Sequence, residues 1–185
     1  MDKALGFFES FFGGRIPGAF SIYLQARESY LLGDYVRAEK LKNLNYFFHN
    51  SEVPYTAKLG KNCIFAYGGI GVIIHPDSVL GERCNIGSGV TIGGNRAGVP
   101  SIGHDVFLST GAKLIGAIKI GNGAIIGANS VVLSDVEPFT VVAGAPAKKV
   151  AEINNTTFDK YQGFYWCKNN QDKVNLFKKY YFKDD

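Results

Sequence analysis

Three histidines, three cysteines, one tryptophan and one methionine are all that this chain of 185 residues holds of those four types. The scarcity closes off several kinds of protein. Cys63, Cys84 and Cys167 are odd in number and share no paired spacing, which excludes a disulfide framework and a cysteine-built zinc site. A reducing cytoplasm is the expected setting. No uncharged run reaches the roughly 18 residues that a membrane-spanning helix needs. The opening residues do not read as a signal peptide, because Glu9 and Arg15 interrupt the short apolar stretch that follows Asp2 and Lys3. The segment FFESFFGGRIPGAF allows membrane contact that is at most peripheral. A formal charge of +4 is too small to argue for nucleic acid and suits a local basic patch for a phosphorylated small molecule. GGNRAGVP lacks the lysine and following hydroxyl residue of a phosphate loop.

Glycine is plentiful, at 23 residues, and without a triplet period such an excess calls for many tight turns. Apolar residues at 46% and charged residues at 19% give the balance of a folded domain with its own core. The turns have a rhythm. A large apolar residue opens each six-residue unit at Val53, Leu59 and Phe65, then, after a three-residue expansion, at Ile74, Leu80, Ile86 and Ile92. After a four-residue expansion the series resumes at Ile102, Leu108, Leu114, Ile120, Ile126 and Val132. The second slot is mostly glycine (Gly60, Gly81, Gly87, Gly93, Gly103, Gly121, Gly127), and the fifth is small or apolar. A period of six fits neither an amphipathic helix nor a two-faced strand. It fits a short strand and a tight turn, three to a coil, with coils stacked into a parallel β-solenoid of about five turns.

Residues 1–50 read as a helical cap on the solenoid of residues 51–150. Leu24, Tyr30, Leu31, Tyr35, Leu41 and Leu44 are its expected buried stripe, with Gly33 and Asp34 as break and cap. Residues 151–185 form an aromatic and basic tail, with a helix expected from about Gln171 to Tyr181 that packs on a neighbouring subunit.

The segments GVTIGG, PSIGHDVFLSTGAKLIGAIKIGNGAIIGANSVV and VVAGAPAKKV resemble the hexapeptide-repeat acyltransferases, in the serine and polysaccharide O-acetyltransferase branch. The resemblance covers about Val53 to Val150. It implies a mainly β fold, a left-handed parallel β-helix, with acetyl-CoA as co-substrate in a groove between subunits of a homotrimer. The matching coenzyme positions are Gly93 and Gly94 of TIGG, Thr110 of FLSTGA and Ala128 of IIGANS. Lys148 and Lys149 match a basic position near the nucleotide phosphates, where lysine is a suitable point charge.

Transfer to a hydroxyl needs a proton acceptor, and near neutral pH a histidine serves best. His49, in NYFFHNSE, reads as structural or exposed, and His104, in SIGHDVF, as a turn residue. His75 stands in the second slot, where glycine is the rule, and Pro76 stiffens its corner. It is either a surface residue at a tolerant corner or the general base. In the family, histidines occur where Gly68 and Val99 stand here. These departures put a sugar hydroxyl, on a polysaccharide or nucleotide-sugar precursor, ahead of serine as the expected acceptor, and a catalytically silent trimeric scaffold is a further alternative. Zinc hydration chemistry would need three histidines where the repeat holds two, so no metal is expected.

Overall fold

The computed structural model describes residues 16–182. Of the FFESFFGGRIPGAF segment, residues 7–15 lie outside the described residues. Among the described residues two helices come first, α1 (Ala19–Leu31) and α2 (Tyr35–His49). Gly33 turns between them at φ +82°, and the Asp34 side chain accepts from the Arg37 N–H at 2.9 Å, capping α2. Asn50 ends α2 in the left-handed region. The expected stripe of large residues is not the buried face: Leu24, Leu31 and Tyr35 are exposed and Tyr30, Leu41 and Leu44 only half-buried. Small residues and one ring make the contact instead. Ala19 and Tyr23 join the solenoid core, and the Tyr23 hydroxyl donates to the Ala57 carbonyl at 2.7 Å while accepting from the Leu59 N–H at 3.1 Å. A narrow coil end leaves room for close helix approach and none for a row of leucines.

Four complete coils follow. The first contains β1 (Lys58–Leu59), β2 (Ile64–Phe65) and β3 (Ile73–Ile74), and the second β4 (Val79–Leu80), β5 (Asn85–Ile86) and β6 (Thr91–Gly93). The third contains β7 (Ser101–Ile102), β8 (Phe107–Leu108) and β9 (Lys113–Ile115), and the fourth β10 (Lys119–Ile120), β11 (Ile125–Ile126) and β12 (Val131–Val132). A partial fifth turn makes one bridge, Ile120 to Val136, and adds β13 (Thr140–Gly144), before β14 (Ala147–Glu152) returns antiparallel on β13. The count is therefore four and a fraction rather than about five, because the chain reverses at Gly144 instead of turning a fifth time onto the third face.

The strands stack in parallel as three faces: β1-β4-β7-β10, then β2-β5-β8-β11-β13, then β3-β6-β9-β12. The first-slot residues point inward, and Ile74, Ile86, Ile92, Leu108, Leu114 and Ile126 are fully enclosed. Glycine in the second slot follows from backbone proximity: a Cβ on Gly81 would lie 2.6 Å from the Gly103 carbonyl carbon in the coil above.

The C-terminal segment packs on its own chain. Its helix, α3 (Gln171–Tyr181), is capped by Asn170, which accepts from the Lys173 N–H at 2.9 Å. Phe158, Tyr165 and Phe177 form an aromatic cluster against Ile125 on the outer side of the second face, with Phe107, Phe139 and Val141 at its margin. The outward residues of that face are unusually apolar, so it attracts a cover from within the chain.

Candidate active site

The sequence-singled residues fall on two corners that bound the third face. Where the chain leaves that face lie His75, Gly93 and Gly94. The His75 ring packs over Gly94, where a Cβ would come within 3.2 Å of its Cδ2, and Val99 Cγ1 would lie 2.9 Å from the same point. Both lie beside the four-residue expansion, a tight hairpin in which Asn95 and Gly98 exchange backbone bonds of 2.9 and 3.1 Å. Asn95 Oδ1 accepts from the Ala97 N–H at 2.8 Å and holds the tip. The His75 side chain is 35% exposed, and its Nδ1 accepts from the Asp77 N–H at 3.2 Å. That bond leaves the proton of the neutral ring on Nε2, a donor with no hydrogen-bond partner among the described residues. The Asp77 carboxylate, 3.8 Å from Nδ1, is too far to bond it.

Thr110 and Ala128 lie on the other corner, where the chain enters the third face. Backbone bonds of 2.9 Å stack this corner through successive coils: Gly89 N–H to the Ile70 carbonyl, Gly111 N–H to Ser88, Asn129 N–H to Thr110. At the top, the Gly144 N–H donates to Ser130 Oγ at 3.1 Å, placing the β13–β14 turn above Ala128. Lys148 and Lys149 follow on β14, both exposed. Lys149 pairs with Glu152 at 2.9 Å, whereas Lys148 has no ion pair among the described residues. The column is thus small or glycine-bearing along its length and ends at a lysine. With parallel strands about 4.8 Å apart, its four steps span roughly 19 Å.

At the foot of this column the three-residue expansion forms a short helical turn, Ala66–Gly69, with Tyr67 and Gly68 at φ +53° and +74°. Gly68 has no side chain, and a Cβ built there would meet only His49, with Cε1 at 3.4 Å and Nδ1 at 3.7 Å. His49, 7% exposed, is the last residue of α2, and its Nε2 lies 2.8 Å from the Pro17 carbonyl. The repeat pattern could not point to this ring, since it comes from outside the repeat. The hint in the sequence was the pair Gly68–Gly69 within an expansion.

The remaining candidates stand apart. His104 is on the corner between the first and second faces, and its Nδ1 accepts from the Glu82 N–H at 3.0 Å. Burial raises the Tyr165 and Tyr181 phenols there. Among the described residues, no group of three or more histidine, cysteine or acidic side chains could hold a metal ion, and no helix is long and apolar enough to cross a membrane.

Six-residue rungs in a parallel solenoid, with small-residue corners flanking one open face, define the hexapeptide class of transferases. Residues 100–134 match the bacterial transferase hexapeptide (six repeats) family. A serine acetyltransferase of Staphylococcus epidermidis is 37% identical over 134 residues, 70% of this chain and 62% of that protein. The crystal structure of Neisseria gonorrhoeae serine acetyltransferase shares 33% identity with a TM-score of 0.70, covering 78% of this chain and 57% of that one. A serine acetyltransferase from Brucella abortus in complex with coenzyme A shares 27% identity with a TM-score of 0.67, over 74% and 56%. The chain is similar to the hexapeptide-repeat acyltransferases, and within them to serine acetyltransferases. It spans about three-fifths of the length of the curated relatives it matches. These relatives favour serine, the alternative acceptor, and give no support to the expected sugar or to polysaccharide biosynthesis.

Proposed function

We propose that this chain transfers the acetyl group of acetyl-CoA to a hydroxyl, with serine as acceptor, in the cytoplasm. The observation that carries the reading is the small-residue column rising through Thr110 and Ala128 to the β13–β14 turn and Lys148. Open backbone along a corner lets an extended amide-bearing chain approach, and Lys148 at the top supplies positive charge for its phosphates.

The two corners are opposite edges of one face, so one chain does not bring them together. A ring of three copies with that face inward sets the entry corner of one against the exit corner of the next. The open faces support this choice. The second face is covered by the chain's own aromatic segment. The first shows Lys58, Val79, Ser101 and Lys119 outward. The third shows Ile73, Thr91, Lys113 and Val131, and Lys113 is bound back to the Gly89 carbonyl at 2.6 Å and Thr91 Oγ1 at 3.0 Å. Exposed Tyr67 and Ile70 continue this surface at the entry corner. In such a homotrimer Gly93, Gly94 and His75 form one wall of the site, with the hairpin from Asn95 to Pro100 over the acceptor. The Nε2–H of His75 is suited to donate to an oxyanion.

A sugar hydroxyl is the second reading, favoured by Gly68 and Val99 at the two positions where the resemblance places histidines. Thiol release from acetyl-CoA, measured with serine and with a panel of sugars and nucleotide-sugars, separates the two. Turnover on serine is expected, with a loss of about a hundredfold or more in His75→Ala. Turnover on sugars alone selects the second reading, and coenzyme binding without turnover on any acceptor leaves a silent scaffold.

A further inference from the structure

We propose that His49, a residue of the helical cap, is the base that takes the acceptor's proton, reaching it through the opening left by Gly68. The assignment deepens the transfer reading above and rests on it.

The first argument is the tautomer. A backbone carbonyl can only accept, so the 2.8 Å contact to Pro17 fixes the proton of the neutral His49 ring on Nε2. The lone pair is then on Nδ1. At His75 the Asp77 N–H occupies Nδ1 and leaves only a donor. Of these two rings, His49 is the one whose lone pair is available to accept a proton.

The second argument is space. The side-chain position of Gly68 is bounded by the His49 ring alone within 4 Å. An oxygen in van der Waals contact with the Gly68 Cα, on the side that faces the ring, comes within hydrogen-bonding reach of Nδ1. The glycine is held in place. Its neighbour Gly69 has no room for a Cβ, which would meet Ala19 Cβ at 2.6 Å and Phe65 Cδ2 at 2.9 Å. The backbone of His49 is tied to the same loop: the Gly71 N–H donates to the His49 carbonyl at 2.9 Å, and Ser51 Oγ accepts from the Val72 N–H at 3.1 Å. Ring and opening therefore move as one piece.

The third argument is position. The opening is at the foot of the same column that carries Thr110, Ala128 and Lys148, whereas His75 is on the opposite edge of the face. A coenzyme whose phosphates are at Lys148 and whose arm runs down the corner ends near Gly68. There the acceptor oxygen forms a bond to the thioester carbonyl carbon as its proton passes to His49 Nδ1. The carbon–sulfur bond then breaks, the sulfur takes the proton back from the imidazolium, and an ester and a free thiol remain with the ring neutral again. In the ring of three proposed above, the exit corner of the next copy adjoins this point, and its histidine at position 75 supplies a donor for the developing oxyanion.

The test has two arms on the full chain. Diethyl pyrocarbonate modification, mapped by mass spectrometry, is expected to label His49 in the unmodified chain and to fall at least tenfold in Gly68→Asn. Asparagine tolerates the positive φ at that position, and its side chain covers the ring. An unlabelled His49 overturns the proposal whatever the turnover. In the second arm, kcat on the acceptor found above is expected to drop about a hundredfold or more in both His49→Gln and Gly68→Asn, with melting temperature and coenzyme affinity preserved in the latter. Normal kcat in Gly68→Asn with the label blocked removes His49 from the mechanism and leaves the transfer reading intact. No turnover by the unmodified chain on any acceptor overturns the transfer reading itself, and the base role with it.

Discussion

Arg83 grips Asp105 in the coil above with two nitrogens, Nε to Oδ1 and Nη2 to Oδ2, each at 2.8 Å. The Tyr181 hydroxyl, from the last turn of α3, bonds the same carboxylate. Asp105 holds the Arg83 guanidinium above its ordinary range through these bonds. One carboxylate, 1% exposed, thereby joins two coils and the C-terminal segment. Asp105→Asn is expected to cost about 3 kcal/mol, because it breaks a largely enclosed pair from one side. Tyr181→Phe is expected to cost about 1 kcal/mol. Urea unfolding followed by the fluorescence of Trp166, which lies 5.9 Å from the Phe177 ring, measures both.

Alkali should loosen the fold. Burial raises the phenols of Tyr23, Tyr165 and Tyr181, so in the folded chain they keep protons that the unfolded chain loses near pH 10. Their contribution is complete below that pH and declines as pH rises through the unfolded value toward the folded ones. The urea midpoint is expected to fall between about pH 9 and pH 11, and less steeply in Tyr165→Phe. That variant starts from a lower midpoint, having lost its 2.7 Å bond to the Gly123 carbonyl.

Gly81→Ala tests the stacking of corners. Its Cβ would collide with backbone, which unlike a side-chain tip cannot swing away. A loss of about 2 kcal/mol or more is expected, seen as a lower urea midpoint with an unchanged slope.

The two lysines of β14 should not be equivalent. Lys149 is engaged with Glu152, and Lys148 is not. Lys148→Ala is expected to weaken coenzyme A binding roughly fivefold at low salt, with the difference shrinking as ionic strength rises. Lys149→Ala should change it little. Calorimetric titration at two salt concentrations checks this.

The solenoid was legible because one slot in six must be apolar to fill a triangular core, and Val53 to Val132 keep that rhythm through both expansions. The cap was legible only as helix. Which face it buries depended on the shape of the coil end, which accepts Ala19 and Tyr23 and leaves Leu24 outside. The C-terminal helix was legible in its bounds, Gln171–Tyr181, but its packing on the second face of its own chain was not. Phe107, Ile125 and Val141, outward on three successive strands, were the signal that the second face wanted a cover, yet in sequence they look like ordinary strand residues. At the site, His75 stood out in the sequence because it interrupts a glycine column. His49 carries no such mark in the sequence, since its place beside Gly68 comes from a helix end meeting a distant loop.

Parallel rungs have no natural last member, since each strand leaves an unpaired row for another. Here β14 runs against its neighbour at one end, and the Tyr23 hydroxyl meets the Leu59 N–H at the other. Those two blunted ends set the length of the stack and remove the simplest template for end-on growth.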